Sequence, residues 1–292
     1  MPYYRSEIQK GQIKMKPCFR NGIVATMVVG VCHLACASTE TDWSGKTGSV
    51  TIPAGETWVA DEADMEKVNA LTSLTVERTV SEDGATTNAA TLIFRGTTTI
   101  PSADLLHGSG TVRKEGDTEW AAIVPQDNFT GDFRIGAGVV KSNRASALGA
   151  VKGEQLGGIW VESGASLVLN FAEKGSLGDR AIHLAGSGNA GVGAALQCTA
   201  GGKENYDGIL KTIILEGDAT LSDGCSFTLY GSLRLDLNGH DLSYTGTGTD
   251  KSWYQNNVTV CGKGTVRVKN GNVRLRNSTA WEAADGGAVS FE

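Results

Sequence analysis

Four residues in one short stretch have the types that act on polysaccharides: Arg234, Asp236, His240 and Asp241. On a wound all-β scaffold such chemistry needs carboxylates on neighbouring coils, to hold calcium or to move protons, and an Arg or Lys as base. Arg234 and Asp236 stand two apart on one strand and share its outward face, so they can project into a groove. Alternating charge is also how a solvated face looks, and that plainer reading is preferred. Beyond residue 37 only His107, His183 and His240 remain, and no His-Glu-x-x-His occurs. Gly164-Ala-Ser-Leu-Val168 lacks the second Gly of a nucleophile elbow. Gly186-Ser-Gly-Asn-Ala-Gly-Val-Gly193 lacks the Lys-Ser/Thr ending of a phosphate loop and reads as a turn. No catalytic, metal or cofactor residue is therefore assigned.

Aromatic side chains are the other candidates, because sugar rings stack on them. Trp120, Trp160, Trp253 and Tyr254 would serve if they lined one exposed wall. Alternation sets Trp160 opposite the inward Ile159 and Val161. Trp253 and Tyr254, read as part of a polar loop after Gly246-Thr-Gly-Thr249, are the glycan-contact candidates.

The elements that must position these residues are short strands. The chain has 39 Gly and 5 Pro in 292 residues, without the strict third-position Gly of collagen, so tight turns are frequent. Runs such as Ser49-Val-Thr-Ile52, Thr91-Leu-Ile-Phe94, Gly158-Ile-Trp-Val-Glu162 and Ser232-Leu-Arg-Leu-Asp-Leu-Asn238 recur between Gly, Asn or Asp. In the last, Leu233, Leu235 and Leu237 face inward while Arg234, Asp236 and Asn238 face outward. Residues 61–70 carry the only clear helical pattern. Gly108-Ser-Gly-Thr-Val-Arg-Lys returns as Gly262-Lys-Gly-Thr-Val-Arg-Val, and Gly138-Val-Val-Lys is echoed by Gly271-Asn-Val-Arg. Self-similar turn-and-strand units of this kind wind into stacked coils. The expected fold is all-β: a single-stranded β-solenoid, or parallel β-helix, of about nine to twelve coils with rungs of roughly twenty to thirty residues.

The start of the chain reads differently. Lys14, Lys16 and Arg20 precede an apolar run from Gly22 to Leu34, followed by the small residues Ala35-Cys36-Ala37. This is the layout of a secretory signal peptide over residues 1–37, with Met15 as an alternative start and cleavage after Ala37. An uncleaved anchor is the competing reading, but the run is short for a membrane span. Removing residues 1–37 takes away five basic and one acidic side chain and moves the net charge from −6 to about −10. That acidity argues against nucleic acid or an anionic membrane as partner. Cys198, Cys225 and Cys261 then remain. Their spacing fits no metal pattern, and they read as small buried residues on successive rungs, with one disulfide plus a free thiol as the alternative.

Gly108-Ser-Gly-Thr-Val-Arg-Lys-Glu-Gly-Asp117, Asn128-Phe-Thr-Gly131, Gly136-Ala-Gly-Val-Val-Lys141 and Ala145-Ser-Ala-Leu-Gly149 together carry a resemblance. The order resembles the autotransporter-associated β-strand repeat of bacterial passenger regions, well matched over 108–170 and partly over 233–276. Leu235-Asp-Leu-Asn-Gly-His240 is similar to a turn phrase of pectin-lyase-like right-handed β-helices. The resemblance implies an exported passenger that folds outside the cell, with function carried by inserted loops or separate domains. Ala288-Val-Ser-Phe-Glu292 stops within a strand and without the family's membrane barrel, which reads as a fragment of a longer precursor or as a shorter relative exported another way.

The expectation is a non-enzymatic, structural or adhesive β-solenoid over 38–292, at the outer cell surface or beyond it. Glycans or other surface proteins are its expected partners. It needs no cofactor, and the mature part does not span a membrane. A polysaccharide-binding or polysaccharide-cleaving β-helix is the alternative.

Overall fold

The computed structural model describes residues 3–9, 12–18 and 41–291, except 83–86, 154, 171–176, 200–209, 224–226, 230–232, 247–251, 257, 271, 277–279 and 282–288. Contacts divide the chain into Met1–Ala37 and Ser38–Glu292. In the first unit Tyr3–Gln9 pairs antiparallel with Gln12–Cys18, Ile8 opposite Ile13. The signal-peptide layout of residues 1–37 predicts no strand there, so this hairpin is a difference from the sequence expectation.

The second unit is a β-solenoid of about eight turns, with parallel strands stacked coil upon coil. Its first ladder runs through Thr57–Ala60, Thr91–Arg95, Thr111–Glu115, Asp132–Ile135, Ile159–Val161 and Ile182–Gly186. It continues through the start of Thr212–Asp223, then Leu233–Asp236, Val258–Cys261 and Ala280–Trp281. A second ladder begins with Glu119–Ala122, Gly138–Ser142, Ala165–Leu169 and Leu196–Cys198. The end of Thr212–Asp223, Leu242–Gly246, Gly264–Asn270 and Val289–Phe291 extend it. Thr212–Asp223 therefore bends from one ladder into the other. Shorter third-side ladders join Ser49–Ile52, Ser73–Val76 and Leu106–Gly108 near one end, and Phe227–Leu229, Ser252–Asn256 and Asn272–Arg276 near the other. Coil length is not uniform: the steps from Trp58 to Leu92 and from Ile182 to Ile213 each exceed thirty residues.

Register explains the core. Leu92, Val112, Phe133, Ile159, Ile182, Ile213, Leu235 and Val260 lie directly over one another, and all are buried. Each such side chain stabilises the coil by about 1.5–3 kcal/mol. Leu233, Leu235 and Leu237 point inward as alternation predicts. The helical stretch forms as a 3-10 turn, Glu62–Asp64, continued by the helix Met65–Asn69 and capped by the Asp61 side chain. Met65 and Val68 seal that end of the core.

The two copies of the repeated phrase do not occupy equivalent places. Thr111–Glu115 belongs to the first ladder and Gly264–Asn270 to the second. Their likeness is that of a Gly turn entering a strand, a local requirement that recurs at any corner. Asn238 and Gly239 make such a corner with positive φ of 48° and 86°, linking a first-ladder strand to a second-ladder strand instead of closing a hairpin.

Candidate functional site

The richest outward chemistry lies on the first ladder. Arg113, Arg134, Trp160 and His183 stand in register on four successive strands, which forces their side chains into one column. The Arg134 guanidinium carbon lies 4.3 Å from the Trp160 ring centre, and the His183 ring stacks on Trp160 at 3.6 Å and 7°. His183 Nδ1 then meets Glu216 Oε1 at 2.7 Å. Both faces of the Trp160 ring are thus occupied by neighbours of its own chain.

A second column runs beside it. Arg113 grips both oxygens of Glu162 and donates through Nε to Glu115 at 2.9 Å. Arg113 reaches past the intervening rung because Gly136 stands there, and a Cβ on Gly136 would lie 2.5 Å from Arg113 Nη2. Glu162 above all holds the Arg113 guanidinium even further above its already high range. Asp132 anchors the column from the side, accepting from Arg78 Nη2 at 2.7 Å, from the Gly158 backbone at 2.8 Å and from Trp160 Nε1 at 3.4 Å. Burial pushes its carboxyl up, but these donors outweigh burial and leave it below the usual carboxylate range.

Of the polysaccharide-type cluster, the structure makes two separate pairs. Arg234 Nη2 bonds Asp236 Oδ2 at 3.0 Å, while Asp236 Oδ1 accepts from the Asn238 backbone. Asp241 is bound by Arg267 and by the Thr265 N–H at 2.8 Å. The Arg267 hydrogen bond leads in holding the Asp241 carboxyl below the usual carboxylate range against desolvation, and the Thr265 N–H adds to it. His240 faces Asp218 at 3.8 Å. Each carboxylate already has an arginine partner from a different place.

One aromatic candidate is excluded and one loop expectation is corrected. Trp120 is no surface platform: it is 2% exposed, packs between Phe94 and Phe133, and donates to Thr99 O. Alternation along Glu119–Ala122 turns it inward with Ala122. Trp253 and Tyr254 lie in the strand Ser252–Asn256, paired on both sides, and not in a loop. An aromatic pair among polar residues has high strand propensity, and parallel neighbours at Phe227–Leu229 and Asn272–Arg276 complete it. Trp253 is in register with Phe227 and Val273, and its neighbour Tyr254 with Thr228 and Arg274. Their side chains lie outside the described residues.

Sequence reasoning missed two buried cations. Lys114 sits in the inner column between Phe94 and Ile135, fully buried, and its ammonium donates to Gly116 O, Thr118 O and Ala137 O. Burial pushes it down to about 8. Arg180 is 2% exposed and donates to Gly131 O and Gly158 O, and burial pushes it down to about 10. Lys114 was readable, because it shares the parity of inward Val112. Arg180 falls outside any strand and left no periodic signal. Cys198 and Cys261 are buried as expected, though on different ladders, and Cys225 lies outside the described residues.

Among the described residues no group of three His, Cys, Asp or Glu converges as a metal site, and no helix is long and apolar enough to cross a membrane. An apolar cavity of about 10 Å³ between Ile100, Leu106, Trp120 and Phe133 has room for one water at most. No family model, curated protein or solved structure matches the chain. The class defined by the fold is the parallel β-solenoid.

Proposed function

We propose that this chain is a structural or adhesive β-solenoid without catalytic activity, carried outside the cell or displayed on its outer surface in the manner of an autotransporter passenger. The observation that carries the reading is the closure of the outward chemistry on itself. Arg113 with Glu162, Arg134 with Trp160, His183 with Glu216 and Arg267 with Asp241 are pairs between rungs, so the polar face ties coil to coil. A catalytic carboxylate needs a free approach and a poised protonation state. A rod needs continuously stacked rungs and a solvated exterior, and glycans or surface proteins are the partners such a face would meet. The repeat-like phrases over 108–170 support the same assignment.

The test is a glycan-array screen of the full chain with calcium present, followed on every hit by assays for reducing sugar and for unsaturated product. Binding without turnover, or silence from a folded sample, is the expected outcome. Turnover that is lost in Asp236→Asn or Asp241→Asn would replace this reading with a polysaccharide-cleaving β-helix.

A further inference from the structure

Thr57–Ala60 is hydrogen-bonded to Thr91–Arg95 on one side and, among the described residues, to no strand on the other. An open edge of this kind offers its backbone groups to any passing strand. Here they are taken by side chains. The Val59 N–H donates to Thr41 Oγ1 at 2.9 Å, and Val59 O accepts from Trp43 Nε1 at 2.8 Å. In a parallel ladder the N–H and C=O of one residue point to the same side, so these are the two bonds an added strand would make with Val59.

The segment is built into the fold. Trp43 is 1% exposed and belongs to the core cluster, meeting Trp58 edge-on at 5.6 Å. Lys46 Nζ sits 4.4 Å over the Trp58 ring and adds a charge beside the edge, a feature that discourages strand addition. The edge strand itself, Thr57-Trp-Val-Ala60, is uncharged and rich in strand-forming residues.

We propose that Thr41 and Trp43 form an end cap that keeps the Thr57–Ala60 edge from pairing with the same edge of a second copy of this chain. Identical edges can meet antiparallel across a two-fold axis, which closes the contact at a dimer. The occupant excluded by the cap is therefore a second copy of this chain, and the product without the cap is a dimer.

The experiment uses the full chain carrying Thr41→Val, which keeps size and removes the acceptor, and Trp43→Phe, which keeps an aromatic ring and removes the donor. Hydrogen exchange at the Val59 amide and sedimentation over a concentration series are measured together, with circular dichroism to follow the fold. Exchange on the order of tenfold faster, with mass rising toward a dimer, is expected. Adding Thr57→Lys to the double variant should return it to the wild-type mass. Unchanged Val59 exchange, faster exchange with unchanged mass, or growth beyond a dimer would each overturn the proposal. Should the double variant unfold, Thr41→Val alone is read by the same criteria.

Discussion

Lys114 occupies an inner column otherwise made of Phe94, Ile135, Val161, Leu184 and Leu215. A charge there is tolerated because three carbonyl oxygens at one corner need a donor and the ammonium has three N–H bonds to give. Lys114→Met keeps the stem and strands those carbonyls, so urea denaturation should show a loss of about 2–4 kcal/mol. The pH dependence has a definite sign. Burial lowers the folded pKa from 10.5 to about 8, so between those values the unfolded chain holds a proton that the folded chain lacks. Wild-type stability relative to Lys114→Met should therefore rise with pH across that window. A flat difference would mean that the ammonium keeps its proton in the fold. Outward, Glu62 is the counterpart: bonds from Thr99 and Thr97 lead, with backbone donors beside them, in holding its carboxyl down to about 2, tying the helical turn to the 97–99 loop.

Turns between strands are governed by how closely the rungs approach. Gly110, Gly131 and Gly157 form a column at one corner: a Cβ on Gly131 would lie 1.9 Å from Gly110 O, and one on Gly157 would lie 2.4 Å from the Gly131 carbonyl carbon. The backbone obstructs in both cases and cannot swing aside. Gly131→Ala should cost about 2 kcal/mol or more, whereas Gly217→Ala, whose Cβ would meet Ala185 at an ordinary 3.4 Å, should change stability by less than about 0.5 kcal/mol. Thermal unfolding of both variants checks the contrast, and equal effects would show that backbone entropy, not rung spacing, selects these glycines. The Gly-rich texture was legible in the sequence as turns. That Gly136 exists to let Arg113 reach Glu162 was not, since it requires knowing which residues lie one and two coils away.

Each coil of the 38–292 unit contacts chiefly its two neighbours, so stability accumulates along the stack and depends on continuity. Leu184 is fully buried near the middle of the first ladder. Leu184→Ala should lose about 2–5 kcal/mol, and hydrogen exchange should rise most in the strands that flank it, Ile159–Val161 and Thr212–Asp223. Uniform loosening of every coil would contradict the one-dimensional picture. Alternation by itself determined that Leu233, Leu235 and Leu237, and likewise Ile159 and Val161, face the core, and that Trp160 faces away from it. These are period-two properties of the strand, carried by adjacent residues. Only the tertiary structure decided that Trp160 meets Arg134 and His183, that Asp236 and Asp241 take different arginines, and that the two copies of the Gly-x-Gly-Thr-Val-Arg phrase lie on different ladders. The physical reason is register: cross-rung partners are set by how many residues each coil takes to return, and in this chain that number changes from coil to coil.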